Sequence, residues 1–279
     1  MNVDNIDKVI LIDWSIYLKM ATSASENCGM EPTFIAQTMI LGNLKLIGVT
    51  PDTLLLIACD GRNNWRKKYI QQTKVDRVEG EKKFQERHPG IYQKFDELLI
   101  KLDRATDWHI IKFDELEADD VMACASKYYG EIKNKPVVLL TMDSDMAQLW
   151  HYTNVKWFSP HRQMKRYKIK PDNFNVNKLI SKMVLSKGHN NLGVPQTDEE
   201  YKTKQLCTDL INLPEWIKNL CFKKFEELQL KEGRVELLGS PTIIERYNSL
   251  YNSEDKIITY EKSIKIAEIK KKKKKKAKN

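Results

Sequence analysis

The apolar residues of this chain fall into short continuous runs that alternate with longer stretches of helical periodicity. Five runs predict strands: Val9–Trp14, Leu54–Cys59, His109–Phe113, Val137–Thr141 and Val155–Ser159. Five stretches between them predict helices: about Pro32–Ile47, Trp65–Gln72, Ile91–Thr106, Ala118–Tyr129 and Met146–Trp150. Because short apolar strands that alternate with helices are typical of a parallel sheet covered on both faces, the pattern predicts an α/β fold with a mainly parallel central sheet.

The later part of the chain has a different pattern. Residues 175–261 show amphipathic helical periodicity without a further strand-like run, and prolines interrupt it at three positions. We therefore expect an α/β domain at 1–174 followed by a smaller C-terminal helical region. Residues 262–279 carry ten lysines and one glutamate, and such a block is typical of a disordered tail.

The net positive charge of the chain is concentrated in that tail. The tail carries +9, which equals the formal net charge of the whole protein, so the remaining body is neutral. Such a lysine block either keeps the end of the chain soluble or binds nucleic acid or another polyanion electrostatically. The sequence leaves both roles open.

The composition indicates a globular, cytoplasmic protein. With 279 residues, 41% of them hydrophobic, the chain can bury a full core. The first apolar run is too short for a secretory signal, and no later run reaches membrane-spanning length, so we expect no membrane contact. The five cysteines are scattered without a C-x-x-C pair, which predicts reduced, mostly buried thiols rather than structural zinc.

Basic residues cluster in two segments of the otherwise neutral body. Residues 62–104 hold twelve lysines and arginines against seven acids, and residues 161–170 hold five bases and no acid. Basic side chains interleaved with aromatic rings suit a surface that follows a phosphate backbone, although an exposed helix can carry the same pattern. The candidate nucleic-acid contacts are Trp65, Lys67, Lys68, Arg162, Lys165 and Arg166.

Carboxylates stand at or shortly after the ends of four predicted strands. They are Asp13, Asp60, Glu117, Asp119, Asp120, Asp143 and Asp145. Each acid alone is explained by a turn or a helix cap, but the carboxyl ends of parallel strands meet at one edge of a sheet, where like charges repel unless cations lie between them. Oxygen ligands with few histidines favour Mg²⁺ or Mn²⁺. An acidic metal centre beside basic segments indicates phosphodiester hydrolysis.

Five segments resemble, in order and spacing, the phage RNase H and 5′-3′ exonuclease branch of the flap endonuclease family. They read ILIDWS, ACDGRNNWRKKYIQQTKVDR, ELEADD, LLTMDSDMAQL and NVKWFSPHRQM, and the resemblance runs from about Val9 to Pro195. The resemblance implies a PIN-like nuclease domain with a helical arch at about 62–105. It also implies removal of RNA primers and 5′ flaps in replication, on RNA–DNA hybrids and branched or duplex DNA. We expect a monomer, with a replication clamp or a single-strand-binding protein as its protein partner.

The resemblance also assigns roles to individual residues. Five carboxylates match the ligands of a first metal ion: Asp13, Asp60, Glu117, Asp119 and Asp143. Asp120 is a further acid beside these ligands, and Asp145 matches a ligand of a second ion. Arg66, Lys74 and Arg77 match cations that contact the scissile phosphate, and the last two would stabilise its charge. The helical region matches the part of the family that grips duplex DNA.

One loop departs from the family pattern. In SKGHNNLGVP, His189 and Leu192 stand where the family has two aspartates, and Asn190 and Asn191 offer neutral amide oxygens. His189 is either a replacement ligand or an exposed loop histidine, since Mg²⁺ accepts nitrogen reluctantly. The resemblance therefore predicts a two-metal site with a weakened second position. The alternatives are a DNA-junction binder that has lost turnover and a PIN-type ribonuclease acting on single-stranded RNA.

Overall fold

The computed structural model describes residues 5–69, 75–161, 166–186, 193–229, 231–252, 257–265 and 267–268, with the backbone alone at 75–78 and 252. Several predicted site residues lie outside this part of the chain: Lys74, Arg162, Lys165, His189, Asn190, Asn191 and Leu192. Arg77 is described by its backbone only. Nothing about the contacts of these side chains follows from the structure.

Six strands form one sheet. They are β1 (Lys8–Asp13), β2 (Thr53–Cys59), β3 (His109–Lys112), β4 (Val137–Leu140), β5 (Val155–Ser159) and β6 (Arg166–Tyr167), in the order β3-β2-β1-β4-β5-β6. The first five strands are parallel, and β6 pairs antiparallel with β5. All five predicted strands are confirmed within one residue at each end. The two-residue β6 is too short to produce an apolar run and was not predicted.

Nine α-helices lie wholly within the described residues, and a further helical segment is described at residues 260–265 and 267–268. The nine are α1 (Trp14–Cys28), α2 (Pro32–Ile47), α3 (Val75–Arg87), α4 (Ile91–Ala105), α5 (Ala118–Ala125), α6 (Val176–Val184), α7 (Asp198–Thr208), α8 (Glu215–Glu226) and α9 (Pro241–Asn248). A π-helix at Ser126–Ile132 continues α5, and 3-10 helices occur at Trp65–Lys68, Ser144–His151, Val235–Leu238 and Ser249–Asn252. The predictions for α2 and α4 are confirmed, whereas the predicted helices near residues 65 and 146 are 3-10 helices.

Alternate side chains of the strands face two separate cores. Ile10 and Ile12 of β1 point into a core shared with α1, α2, α4 and α9, whereas Val9 and Leu11 point into a core shared with α5 and α8. Because successive strand residues face opposite sides of a sheet, one continuous apolar run serves both cores. The helices α8 and α9 belong to the predicted C-terminal region, so that region shares the cores of the sheet. The part of the predicted arch that forms α4 also packs on the sheet.

The loops after β2 and β3 are joined along their backbones. The Gly61 amide donates to the Leu116 carbonyl at 2.7 Å, and the Trp65 amide donates to the Glu115 carbonyl at 2.9 Å. A Cβ atom on Gly61 would lie 2.1 Å from the Phe113 carbonyl oxygen, so the close approach of the two loops requires glycine there. This pairing holds the acids after β2 beside those after β3.

The prediction of a disordered tail is wrong for its first residues. Residues 260–265 and 267–268 are helical, and Ser263 is buried. The Tyr167 amide of β6 donates to the Ser263 hydroxyl at 3.3 Å, and Tyr260 packs edge-on against the Tyr167 ring. The reason is that the segment covers the edge strand of the sheet, a tertiary contact that its lysine-rich composition does not show. Residues 269–279 lie outside the described part of the chain.

The cysteines and the helix lengths also bear on the predictions. Four of the five cysteines are buried and Cys28 is exposed, and none of the five forms a disulfide. The prediction of mostly buried, free thiols is therefore confirmed. Among the described residues, none of the helices has both the length and the apolar character needed to cross a bilayer.

Candidate metal centre

The order of the strands determines where the predicted acids meet. The order of the strands reverses between β1 and β4. Successive strands are added on one side as β2 and β3, and on the other side as β5 and β6. Ligands of open α/β sheets bind beyond the carboxyl ends of strands at such a reversal. Asp13 is the last residue of β1, Asp143 follows β4, and Asp60 directly follows the neighbouring β2. The predicted acids therefore share the edge of the sheet that suits a site.

Asp13 is held from two sides at the end of β1. Its Oδ1 accepts a hydrogen bond from the Ser15 hydroxyl, and its Oδ2 accepts one from the Thr141 hydroxyl, both at 2.9 Å. The Thr141 oxygen in turn accepts from the Asp143 amide at 3.0 Å. The pKa of Asp13 is raised to about 6, because burial outweighs the lowering effect of these two hydroxyls and the charges of Asp60 and Asp143 add to it. Ser15 and Thr141 were not predicted, because neither is an acid.

Two further carboxylates are oriented by main-chain amides. Asp60 Oδ1 accepts from the Ala118 amide at 2.9 Å, at the start of α5. Asp143 caps the 3-10 helix Ser144–His151, where its Oδ1 accepts from the Asp145 amide at 2.8 Å. A carboxylate has about four acceptor positions, so a single amide donor does not use them all. These main-chain amides orient the two acids.

Asp119 gives the clearest sign that the acids converge. Burial raises its pKa well above the usual value, and the charges of Asp143, Asp13, Glu117 and Asp60 raise it further, in that order. A charge on one group affects the pKa of another only at short range or through a poorly solvated path. The structure thus brings together all five acids that were predicted for the first metal ion.

In the described part of the chain, no three His, Cys, Asp or Glu side chains are already arranged closely enough to hold a metal ion. Like-charged carboxylates at one edge repel one another unless a cation lies between them. The backbone keeps the five carboxylates at one edge, and their oxygens are the ligands that Mg²⁺ and Mn²⁺ prefer. The donor set therefore fits a hard divalent cation.

Asp120, expected beside the metal ligands, is a supporting residue of the centre. Its side chain is fully buried, and both oxygens are engaged by the chain itself. Oδ1 accepts from Arg66 at 2.6 Å, while Oδ2 accepts from Arg66 at 2.9 Å, from the Trp65 indole at 3.0 Å and from the Glu117 amide at 3.0 Å. Asp120 instead closes a capping box with Glu117 at the start of α5. It supports the neighbouring acids from behind.

The prediction of Arg66 as a phosphate contact is wrong. The residue is 7% exposed, and its guanidinium bonds to the Cys207 carbonyl at 2.8 Å and to Glu117 Oε2 at 3.0 Å besides Asp120. Burial alone would lower the pKa of Arg66, but the charges of Asp120 and Glu117 outweigh it and raise the pKa. A side chain committed to this network is not free to meet a substrate.

Trp65, predicted to stack on nucleic-acid bases, is 2% exposed and belongs to the core. This prediction is wrong because the indole packs behind the metal centre and donates to Asp120. Tyr69 and Trp216 lie edge-on against its ring, with centroids at 6.0 and 6.3 Å, and they are 53% and 43% exposed. The exposed aromatic ring of the predicted basic segment is therefore Tyr69.

The remaining described candidates lie at the surface. Lys67 and Lys68 are exposed in the 3-10 helix Trp65–Lys68, and the Lys67 ammonium donates to the Arg62 carbonyl at 3.0 Å. Arg166 is half-buried in β6. Asp145 is half-buried beside Asp143. The structure thus leaves Lys67 and Lys68 as exposed positive charges close to the metal centre.

Comparisons with known proteins identify the domain family and the fold. A sequence profile of the 5′-3′ exonuclease N-terminal resolvase-like domain matches residues 8–182. The fold is similar to that of bacteriophage T5 5′-exonuclease with bound zinc ions, with a TM-score of 0.51 and 19% identity over 88% of this chain and 89% of that one. It is also similar to the T5 flap endonuclease in a pseudo-enzyme–product complex with DNA and metal ions, with a TM-score of 0.50 and 17% identity over the same shares. No curated protein matches the sequence.

Proposed function

Because the chain belongs to the 5′-3′ exonuclease family, whose N-terminal resolvase-like domain it carries at residues 8–182, we propose that it is a divalent-metal-dependent 5′ nuclease. Its substrates are RNA–DNA hybrids, 5′ flaps and duplex 5′ ends, and its role is the removal of RNA primers in replication. The observation that carries the proposal is the convergence of five carboxylates at the strand-order reversal, where burial and the charges of the other four acids raise the pKa of Asp119. A cluster of unneutralised acids lowers stability, so a cation-dependent role accounts for it.

The carboxylates divide between two cation positions in this proposal. Those that hold the first ion are Asp13, Asp60, Glu117, Asp119 and Asp143, and Asp145 faces the second. When bound, Mg²⁺ or Mn²⁺ supplies positive charge to the scissile phosphate, activates water and stabilises the leaving oxygen. The chain itself orients these acids: Thr141 ties Asp13 to the Asp143 amide across β1 and β4. The second position is weaker, because His189 and Leu192 stand where the family has two aspartates, and Asn190 and Asn191 offer only neutral amide oxygens.

Positive side chains near the acids complete the proposed site. Lys74 and Arg77 stabilise charge on the scissile phosphate, and Arg77 belongs to the first turn of α3. Lys67 and Lys68 contact the phosphate backbone, since both are exposed in the 3-10 helix Trp65–Lys68, which precedes Lys74 and Arg77. Tyr69 takes the stacking role, because its ring is exposed in the same segment.

Cleavage assays test this function directly. The wild-type protein would be incubated with 5′-labelled flap DNA and RNA–DNA hybrid in Mg²⁺, in Mn²⁺ and in chelator. We expect short labelled products with either metal and none with chelator. Asp143→Asn should abolish cleavage and retain DNA binding. Asp52→Asn should cleave normally, because Asp52 is an exposed acid just before β2, at the amino ends of the parallel strands.

A DNA-junction binder without turnover is the second candidate. It is favoured by the loss of two aspartates from the loop at 187–192. Tight binding without cleavage in both metals would establish this candidate and contradict the nuclease. Cleavage of single-stranded RNA with no preference for flaps or hybrids would instead indicate a PIN-type ribonuclease.

A further inference from the structure

The end of α7 is tied to the metal centre by two buried side chains, which belong to the 3-10 helices that follow β2 and β4. Cys207 and Thr208 end this helix, and the turn at Asp209 and Leu210 leads towards α8. All four residues are at most 4% exposed. The chain therefore meets the metal centre here through main-chain groups that water does not reach.

Arg66 makes the first of these ties. Its Nε donates to the Cys207 carbonyl at 2.8 Å, and the same guanidinium donates to Glu117 at 3.0 Å and to Asp120 at 2.6 Å. The planar fork of arginine fixes the direction of all its hydrogen bonds at once. A displacement of the Cys207 carbonyl thus moves the partner of Glu117, a proposed metal ligand.

Gln148 makes the second tie. It is fully buried in the 3-10 helix Ser144–His151, the helix that Asp143 caps and that contains Asp145. Its Nε2 donates to the Thr208 carbonyl at 3.0 Å, and its Oε1 accepts from the Leu210 amide at 3.0 Å. Both ends of the amide are used, so the glutamine fixes the turn relative to the helix that carries Asp143 and Asp145.

The helix α6, which packs on α7, presents exposed positive charge. Lys178 and Lys182 are exposed one turn apart on α6, whereas the first turn of α7 exposes three acids, Asp198, Glu199 and Glu200, followed by the exposed Lys202. Side chains four residues apart lie on one helical face, so the two lysines of α6 point the same way. Duplex DNA bound there would press on the helix that ends at the two buried ties.

We propose that Arg66 and Gln148 are positioning residues that couple duplex binding at α6 and α7 to the affinity of the metal centre for its divalent cation. The inference rests on the proposed function, because it takes the α6–α7 hairpin as a duplex-binding element. Coupling between two sites is reciprocal, so the duplex tightens cation binding by the same factor by which the cation tightens duplex binding. Loss of a residue that orients a metal ligand typically lowers metal affinity by about 10–100-fold.

Gln148→Met tests the coupling, since methionine has a similar shape and lacks both hydrogen bonds. Gln37→Met is the matched control, because Gln37 is buried in α2 and donates to the Thr33 carbonyl of its own helix, in the other core. The Mn²⁺ dissociation constant would be measured from the electron paramagnetic resonance signal of free Mn²⁺, with and without a blunt DNA duplex and with the duplex alone as blank.

We expect the duplex to tighten Mn²⁺ binding in the wild type and in Gln37→Met. In Gln148→Met this tightening should disappear and Mn²⁺ should bind about 10-fold more weakly in the presence of the duplex. Equal tightening in Gln148→Met and in the wild type would overturn the proposal. If Gln148→Met does not fold, Gln148→Asn keeps the amide but shortens its reach, and it should show the same loss of tightening.

Cleavage of a labelled flap by the same samples separates this proposal from the proposed function. A wild type that cleaves but binds Mn²⁺ equally with and without duplex would leave the nuclease intact and overturn the coupling. A wild type with duplex-dependent Mn²⁺ binding and no cleavage would support the coupling and contradict the nuclease.

Discussion

At the scale of single residues, the metal centre depends on side chains that hold the acids as much as on the acids. Thr141 is fully buried and serves both sides of the β1–β4 pair, since its hydroxyl donates to Asp13 and accepts from the Asp143 amide. Metal ligands with a fixed partner keep their orientation when the cation is absent or exchanging. Thr141 therefore has a role in the site although it is not itself a ligand.

We predict that Thr141→Val will slow cleavage by about 10–100-fold, because valine keeps the shape of threonine but leaves Asp13 without a donor and the Asp143 amide without an acceptor. Single-turnover rates at saturating Mg²⁺ would show the effect. Thr141→Ser is the control, because it restores the hydroxyl and should restore most of the rate. Equal rates for the valine variant and the wild type would remove Thr141 from the site.

Asp119→Asn should stabilise the metal-free protein while abolishing its activity. The pKa of Asp119 is raised in the folded protein, so the folded state binds its proton more tightly than the unfolded chain does, and the ionised form destabilises the fold. This penalty is absent at low pH, where Asp119 is protonated in both states, and it is complete above the folded pKa. The gain in Tm over the wild type, measured in EDTA, should therefore be larger at pH 8 than at pH 5.

Asp52→Asn gives the comparison for that measurement, because Asp52 is exposed and lies at the amino ends of the strands, away from the metal centre. Its effect on Tm should be small. If Asp119→Asn behaved in the same way, the acids would not share a poorly solvated site.

At the scale of elements, the 3-10 helix Trp65–Lys68 separates two kinds of residue that look alike in the sequence. Trp65 and Arg66 face inward and support the start of α5, whereas Lys67 and Lys68 face solvent. Tyr69, at the end of this helix, packs on Trp65 by its edge and leaves half of its surface exposed. One short helix thus joins the core to the proposed nucleic-acid surface.

We predict different effects for Tyr69, which follows this helix, and for Trp65, which begins it. Tyr69→Ala should weaken binding to flap DNA by about 1–3 kcal/mol, the usual contribution of one stacked base, with little change in stability. Trp65→Ala should lower the free energy of unfolding by about 3–5 kcal/mol, because it removes a buried indole. Fluorescence anisotropy and urea denaturation would measure the two effects. Tyr69→Phe should bind like the wild type, and weakened binding there would indicate a role for the hydroxyl instead of the ring.

At the scale of the whole molecule, the net positive charge equals that of the C-terminal segment 262–279, and the start of that segment is part of the fold. Ser263 packs against β6, so a deletion from residue 262 would damage the edge of the sheet. Residues 270–279 hold eight lysines and no acid. They can be removed without touching the described structure.

Deletion of residues 270–279 should lower the affinity for duplex DNA and flatten its dependence on salt. The slope of log K against log salt should fall by about 0.9 for each phosphate that the tail no longer neutralises, because neutralising a phosphate releases a counterion. Cleavage positions should not move, since the acids are unchanged. Binding titrations at several salt concentrations would show the slope, and an unchanged slope would leave the tail with a solubilising role.

The sequence by itself determined the strands and the edge at which the acids meet. Runs such as Leu54–Cys59 are apolar at every position, and that pattern is typical of a strand buried on both faces. Asp13 ends β1 and Asp60 directly follows β2, so the parallel arrangement alone places them together. What could be predicted were features that depend on neighbours in the chain or on the rule that parallel strands end at one edge.

The tertiary structure decided which polar residues face the site and which support it from behind. Trp65 and Arg66 stand among exposed lysines and look like surface residues, but the loops after β2 and β3 bring them against Asp120. Gln148 carries no charge, and its partners lie about 60 residues away along the chain. Whether a side chain is buried, and which distant main-chain group it meets, depends on the packing of whole elements, and no local pattern in the sequence contains that information.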